Sequence, residues 1–148
     1  ELLSPMLCDP FFSQPFPKST GREYFNRQWI AKHLQALKQQ PNKEDVQATL
    51  LLLTAITVSE SIKSVGSSAD EVLICGGGTF NRALMGEIQR LLPGCKVRST
   101  THYGVDPQWI EAMAFSWLAK QTMNHKPGNL CAVTGAKREV ILGGVYYA

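Results

Sequence analysis

A short apolar run that ends in three glycines constrains the fold of this chain more than any other feature. Val72–Cys75 is continuously apolar and has the length of a buried parallel strand. After Gly76–Gly78, apolar residues recur at helical spacing until Pro93–Gly94, and Lys96–Arg98 then alternates as a second strand; the helical stripe consists of Leu84, Ile88, Leu91 and Leu92. Strand, helix and strand within about thirty residues form a crossover unit with two parallel strands. The pattern therefore predicts the α/β class.

Two helices are expected before this unit. Thr20–Glu23 has the form of a capping box, from which we predict a helix running to about Gln39. Asn42 then caps a second helix, with Asp45 at its third position, that continues to about Val65. Because apolar side chains occur on all faces of the second helix, we expect it to be surrounded by protein at the centre of the fold. The glycine and serines at 66–68 are expected to end it.

The two ends of the chain give weaker patterns. Four prolines among residues 1–22 favour an extended lead-in, and Asp106 with Pro107 marks the start of a late helix. This late helix contains Trp109, Met113, Phe115 and Trp117, whose spacing predicts that they pack in the core. Residues 126–129 form a turn, and Glu139–Tyr147 is either a short strand or a packed tail. We thus expect a short parallel sheet packed by four or more helices.

The composition indicates one folded domain. Of the 148 residues, 44% are hydrophobic and 18% are charged, a balance typical of globular chains rather than disordered ones. The net charge of +3 comes from scattered Lys and Arg without a basic run, so nucleic acid is not an expected partner. The four cysteines lack zinc-site spacing, which favours reduced thiols, a cytoplasmic location and no metal site.

Membrane insertion is not expected either. The longest apolar run, Leu50–Ile56, is interrupted by Thr54 and is much shorter than the roughly 20 residues that span a bilayer. The first residues lack the layout of a signal peptide, and the sequence begins at Glu1 rather than Met. From this start we expect that a further segment precedes the chain.

The glycine turn is the first candidate site. Gly76–Gly78 follows the carboxyl end of a strand, where open α/β sheets bind ligands, and without Cβ atoms a base or phosphate can lie against the backbone. Asn81 adds a nearby side-chain hydrogen-bonding group. The alternative is a tight strand-to-helix turn without a ligand, since the residues match neither the dinucleotide fingerprint nor the phosphate loop.

Two further residues were considered for a nucleotide site. Lys18 can meet a phosphate as a point charge, or it can be a solvated loop lysine. His102 follows the second strand, but a lone histidine in this position is more often structural or exposed to solvent. Only Lys18 is kept as a candidate for nucleotide binding.

Four blocks in order resemble the anhydro-N-acetylmuramic acid kinases. The first is Pro17–Glu23, and the second is Cys75–Gly78 with Asn81, Leu84 and Met85. The third is Glu111–Ala119, and the fourth is Pro127–Leu130 followed by Val133–Ala136. Cys131 stands where the family commonly has proline and touches no proposed role. Four blocks in register are much more specific than any one of them.

The resemblance implies membership of the actin, hexokinase and chaperone-ATPase superfamily, in which ATP binds between two ribonuclease-H-like lobes. This chain would be the second lobe, with Gly76–Gly78 and Asn81 near adenosine. The implied bacterial enzyme uses ATP and Mg²⁺ to convert 1,6-anhydro-N-acetylmuramic acid to N-acetylmuramic acid 6-phosphate in peptidoglycan recycling. The family's Gly-Thr-Ser-x-Asp-Gly loop and its Asp-Thr-Gly-Pro segment with the catalytic aspartate do not occur in these residues. We therefore expect no catalytic residue here, an amino-terminal half as partner, and a homodimer.

Glu111 is the candidate for substrate binding. It is the only charged residue between Asp106 and Lys120, in a helix that is otherwise apolar. The alternative is an acid favoured by the helix dipole that faces water, and the resemblance favours sugar binding. A different class of function also remains open: a non-enzymatic helical interaction domain in which the glycines form only a turn. Saturable ATP binding distinguishes the two.

Overall fold

The computed structural model of the chain describes residues 1–65 and 69–146. Its regular elements are α1 (Leu3–Leu7), α2 (Pro10–Ser13), α3 (Arg27–Gln35), α4 (Lys43–Val65), β1 (Glu71–Ile74), a 3₁₀ turn (Gly77–Phe80), α5 (Arg82–Leu91), β2 (Lys96–Ser99), a second 3₁₀ turn (Thr100–Tyr103), α6 (Ile110–Met123) and α7 (Cys131–Thr134). The residues at 66–68, expected to end the second helix, lie outside the described part.

The sheet consists of two parallel strands within the described residues. β1 pairs with β2 so that Val72 lies opposite Val97 and Ile74 lies opposite Ser99. Val72 and Val97 pack towards α4 and α5, on the same face of the sheet. The crossover predicted from the glycine turn and its helical stripe is therefore confirmed, together with the α/β class. Because the strands are parallel, both carboxyl ends open at one edge.

Helix α4 supports two separate core clusters from opposite sides. Leu53 packs with Leu2 and Met6, whereas Ala55 packs with Ile88. Two residues along a helix are rotated by about 200° from each other, so the two clusters lie on opposite faces. This arrangement explains why α4 is apolar on more than one side and confirms its central position.

The expectation that protein surrounds α4 on all faces is wrong. Within α4 only Leu53, Ala55 and Ser59 are buried. The helix is covered by α1 and side chains of α3 in the first core cluster and by α5 in the second, and its other residues stay partly or fully exposed.

By length and composition alone, helix α4 is long and apolar enough to cross a membrane. An 18-residue stretch within its 23 residues has a mean hydropathy of 1.4, and 17% of that stretch is buried. Core helices of soluble proteins have the same length and composition. The expectation that no segment crosses a membrane remains a prediction.

The first residues contain helices where an extended lead-in was expected. Asp9 caps α2 by accepting a hydrogen bond from Phe11 N at 2.9 Å, and Pro10 occupies the first helical position. Leu2 and Met6, on either side of Pro5, are buried against α4. The prolines thus limit the length of these helices without preventing them.

Helix α3 begins later than the capping box predicted. Glu23 accepts from Gly21 N at 2.8 Å within a local turn, and Asn26 is the residue that caps α3, accepting from Gln28 N and Trp29 N. The helix also ends at Gln35 rather than near 39. The predicted apolar stripe is confirmed, because Trp29, Ile30 and Leu34 pack against the first core cluster.

Helix α6 is not part of a core. It contains no buried residue, and Trp109, Phe115 and Trp117 have 67%, 70% and 52% of their surface exposed. The prediction that these side chains pack in the core is wrong for this chain. Apolar spacing identifies a helix that needs cover, but the described residues leave its large side chains mostly exposed.

The described residues from 139 to 146 form neither the strand nor the packed tail that was expected, because all of them are exposed, although hydrogen bonds hold the segment in place. Gly128 N donates to Val140 O at 3.1 Å, and Val140 N donates to Asn129 Oδ1 at 2.7 Å. Thr122 Oγ1 donates to Leu142 O, which ties the tail to α6. No strand forms between 139 and 146, and Tyr147 lies outside the described residues.

Candidate functional site

The glycine turn leaves the carboxyl end of β1 in a conformation that requires glycine at its first position. Gly76 has φ 77° and ψ −177°, a region that residues with a Cβ rarely adopt. Its carbonyl accepts from Thr79 Oγ1 at 2.8 Å and from Thr79 N at 3.2 Å. These bonds close the 3₁₀ turn that leads into α5.

The amide of Gly76 is also fixed, by a residue remote in sequence. It donates to Pro107 O at 2.8 Å. Pro107 is buried and lies in the turn that precedes α6. The glycine turn after β1 and the turn that precedes α6 are therefore joined directly by a backbone hydrogen bond.

Open space lies beside the first two glycines. An added Cβ at Gly76 or Gly77 would meet no atom within 4 Å, and one at Gly78 would meet Leu84 Cδ2 at 3.6 Å. A flat group can therefore approach the backbone of the turn without displacing the described residues. This geometry fits a nucleotide base.

Asn81 has a structural role that the sequence did not reveal. Its Oδ1 accepts from Leu84 N at 3.1 Å and so caps α5. The Nδ2 group makes no hydrogen bond to the described residues. It remains free to donate to a ligand held above Gly77 and Gly78.

Glu111 lies in the first turn of α6 and is exposed. The expectation that a buried helix encloses this carboxylate is wrong, because α6 itself is uncovered. Its hydrogen-bonding capacity is unused within the described part of the chain. Pro107, only four residues earlier, connects the start of this helix to Gly76.

Lys18 belongs to a different part of the molecule. Its Nζ donates to Phe11 O at 3.0 Å and to Phe12 O at 2.7 Å, at the carboxyl end of α2. It also lies 5.2 Å from the ring centre of Phe11 and 5.3 Å from that of Phe16. These contacts fix the charge against α2, and none of them involves the glycine turn.

Lys18 lines an open groove of about 840 Å³ between the amino-terminal segment and the second half of α4. The groove is mainly apolar, with Glu60 as an acidic member of its lining. It contains none of the glycines or Glu111. The structure therefore brings the turn, Asn81 and the start of α6 together, but not Lys18.

His102 lies among charged side chains at the end of β2. Its Nε2 is paired with Arg98, whose Nε lies 3.4 Å from Glu71 Oε1. Tyr103 OH donates to Glu71 Oε2 at 2.6 Å, and this bond raises the pKa of Tyr103. The structural interpretation of His102 is supported, since the ring is held by exposed neighbours.

Sequence reasoning missed the role of Pro107 in holding the glycine turn. The Asp-Pro pair was used only as a helix start, yet the carbonyl of Pro107 connects the two turns. No sequence pattern shows from which distant amide a carbonyl accepts a hydrogen bond.

Among residues 1–65 and 69–146, no group of three or more His, Cys, Asp or Glu side chains is placed to bind a metal.

The comparisons with known proteins agree over the entire chain. The model of the family "Anhydro-N-acetylmuramic acid kinase" matches residues 1–148. The kinase of that name from Pseudomonas syringae pv. tomato is 51% identical over 148 residues, and that from Shewanella oneidensis is 47% identical over 148 residues. The Pseudomonas fluorescens protein is 50% identical over 145 residues, 98% of this chain.

Each of these matches covers 40% of the relative, so the chain spans less than half the length of the kinases it matches. The matched range includes the glycine turn, Asn81 and Glu111. By its family match and its identity to these enzymes, the chain belongs to the anhydro-N-acetylmuramic acid kinase family.

Proposed function

We propose that this chain forms the second, ribonuclease-H-like lobe of a kinase that converts 1,6-anhydro-N-acetylmuramic acid to N-acetylmuramic acid 6-phosphate. The family match supports the reaction. The rest of such a protein, of the length of the relatives, would supply the catalytic aspartate and the first phosphate loop. We refer below to a protein of that length containing these residues as the full-length kinase.

One observation supports this proposal most directly. The turn predicted to hold adenosine and the turn that starts the helix of Glu111 are joined by the hydrogen bond from Gly76 N to Pro107 O, 2.8 Å long. Both turns lie at the carboxyl edge of the parallel sheet, where open α/β folds bind their ligands. A nucleotide and a sugar bound at these two turns would be neighbours.

The glycines and Asn81 act as a platform for the nucleotide. Gly77 and Gly78 present backbone without side chains to a flat base, and Asn81 Nδ2 donates a hydrogen bond to it. Bound ATP supplies the phosphoryl group, and Mg²⁺ neutralises charge on its phosphates. A nucleotide role for Lys18 has no support from its contacts, which lie at α2.

Glu111 contributes to sugar binding rather than to base catalysis. Its exposed carboxylate, at the start of α6, accepts hydrogen bonds from hydroxyl or amide groups of the sugar. An ionised acceptor forms stronger hydrogen bonds than a neutral one. The chain's own residues thus bind and orient both substrates while the chemistry takes place on the other lobe.

The wider setting follows from the same family membership. We place the full-length kinase in the cytoplasm of a bacterium, in peptidoglycan recycling, as a homodimer. The 148 residues alone should release no ADP or sugar phosphate in the presence of both substrates. Turnover by these residues alone, in a preparation free of other kinases, would contradict this assignment.

The nucleotide assignment is tested with Gly77→Val in the full-length kinase. Because an added Cβ at Gly77 meets no atom within 4 Å and its φ is not positive, the variant should fold normally. The branched side chain would occupy the space of the base, so we expect KM for ATP to rise at least about tenfold, the equivalent of about 1.4 kcal/mol. KM for the sugar should change little.

Gly94→Val is the matched control, since Gly94 also faces open space but lies outside the site. Gly76 is unsuitable because its positive φ makes any substitution strained. An unchanged KM for ATP in folded Gly77→Val would show that the glycine turn is only a structural corner.

The sugar assignment is tested with Glu111→Gln. The amide keeps the shape of the side chain but loses its charge, which should weaken sugar binding by roughly 1–3 kcal/mol and leave ATP affinity nearly unaltered. Steady-state kinetics with each substrate varied separately measure both effects. Unaltered sugar kinetics would show that Glu111 does not bind the sugar and only faces solvent at the start of the helix.

A non-enzymatic interaction domain is the second candidate, favoured by one observation. Trp109, Phe115 and Trp117 expose large apolar surfaces that a partner could bury. If this is the function, the full-length protein should bind no ATP saturably and show no turnover. The family match favours the kinase.

A further inference from the structure

We propose that Asp106 is a positioning residue that couples nucleotide binding at the glycine turn to sugar binding at α6. This inference rests on the proposed function and extends it to a residue that touches neither substrate. It depends on one peptide group, the Pro107–Gln108 unit.

This peptide group is held from both sides. Its N–H, on Gln108, donates to Asp106 Oδ1 at 2.9 Å. Its carbonyl, on Pro107, accepts from Gly76 N at 2.8 Å. In a planar trans peptide the N–H and C=O point in opposite directions, so orienting one orients the other. The Asp106 carboxylate therefore aims the carbonyl that holds Gly76.

The backbone of the same residue leads into α6. The Asp106 carbonyl accepts from Trp109 N at 3.0 Å, and Trp109 O accepts from Met113 N at 2.8 Å, so the turn continues directly into the helix. Glu111 lies within this first turn. The turn that the Asp106 carboxylate holds at Gln108 N therefore runs directly into the helix that presents Glu111.

The surroundings make the peptide dependent on this bond. Pro107 is buried, but Asp106, Gln108 and Trp109 are exposed, and α6 makes no core contacts that would otherwise hold its start. Gly76 has no side chain to restrict it, and its positive φ is maintained by hydrogen bonds to Pro107 and Thr79. Loss of the Asp106 acceptor should therefore loosen both turns together.

The test compares Asp106→Ala with Asp106→Asn in the full-length kinase. Alanine removes the acceptor, whereas asparagine keeps Oδ1 and can restore the hydrogen bond. We expect Asp106→Ala to raise KM for ATP and KM for the sugar by roughly 2- to 10-fold each, the effect of one hydrogen bond. Since Asp106 touches no reacting atom, kcat should stay within about twofold. Asp106→Asn should behave as wild type.

Asn26→Ala is the matched control, because Asn26 Oδ1 likewise accepts from the N–H two residues on, at the start of α3, which packs against the first core cluster. It should lower stability by a similar amount without changing either KM. A purely structural role for Asp106 would instead reduce the folded fraction, and both KM values would stay unchanged. That result, or equal defects in the alanine and asparagine variants, would overturn the proposal.

Hydrogen exchange gives a second readout that needs no catalysis. In Asp106→Ala, a peptide of the full-length kinase containing the Gly76 amide should take up deuterium faster than in wild type, Asp106→Asn or Asn26→Ala. Unchanged exchange would refute the link through Pro107. Absence of turnover in the wild-type kinase would refute the proposed function. The exchange measurement would still test the link from Asp106 through Pro107 to Gly76.

Discussion

Helices α4 and α6 are both apolar around much of their circumference, yet they differ in what packs against them. α4 contributes Leu53 to one core cluster and Ala55 to another, and α1 and α5 pack against it. α6 contributes nothing to either cluster, and Phe115 is 70% exposed. The comparison teaches that apolar spacing specifies a need for cover, while the fold decides whether that cover is present.

The strongest test of this difference in packing is to truncate one methionine in each region. Met6 is fully buried in the cluster against α4, whereas Met113 on α6 is 52% exposed. Met6→Ala should lower the free energy of unfolding of the chain by about 2–5 kcal/mol, because it leaves a cavity. Met113→Ala should change it by less than about 0.5 kcal/mol.

Urea unfolding of the chain measures both values, and Met6→Leu serves as the volume-conserving control, with a cost below about 1.5 kcal/mol. Equal losses in the two alanine variants would mean that α6 is packed as well as α1. In that case the contrast between the helices would not exist in solution.

A smaller effect is expected at Asp9, which ties the amino-terminal helices to α3. Its carboxylate accepts from Trp29 Nε1 at 2.8 Å and from Tyr24 OH at 2.9 Å, in addition to Phe11 N. Partial burial raises the pKa of Asp9, but the hydrogen bonds from Trp29, Phe11 and Tyr24 outweigh it, and the net pKa lies below 3.8. Asp9→Ala should cost roughly 1–2 kcal/mol of unfolding free energy.

The sign of the pH dependence follows from this lowered pKa. The stability that Asp9 contributes is complete above its unfolded pKa, near 3.8, and is lost as pH falls through the lower folded pKa. Urea titrations of wild type and Asp9→Asn should therefore diverge above about pH 4 and converge under more acidic conditions. A difference that persists unchanged at low pH would mean that the ionised carboxylate is not the stabilising form.

The smallest effect concerns the corresponding tyrosine–carboxylate pair near α6. Tyr103 donates to Glu71 as Tyr24 does to Asp9, and in each case the carboxylate raises the pKa of the tyrosine above 10.0. In Glu71→Gln the pKa of Tyr103 should fall back towards 10.0 while that of Tyr24 is unaffected. Ultraviolet titration with Tyr146 and Tyr147 replaced by phenylalanine, and with Tyr24 or Tyr103 replaced in turn, distinguishes the two, and an unshifted Tyr103 would show that the pair does not form in solution.

The sequence by itself determined the features that depend on neighbouring residues. The apolar run, the three glycines and the stripe ending at Pro93 predicted the parallel crossover, because strand and helix periodicity is a local property. The Asn42 cap of α4 was also correct, with its Oδ1 2.7 Å from Asp45 N. The four family blocks were sufficient for the assignment that the comparisons later supported.

Only the tertiary structure decided which residues meet. Lys18 was predicted near a nucleotide, but its ammonium is bound by the carbonyls of Phe11 and Phe12. Pro107 was predicted only as a helix start, but its carbonyl holds the glycine turn. A carbonyl or an ammonium can satisfy its hydrogen bonds with many partners, and sequence spacing does not distinguish among them. The packing of the chain selects the partner, and with it the relation between the two candidate binding turns.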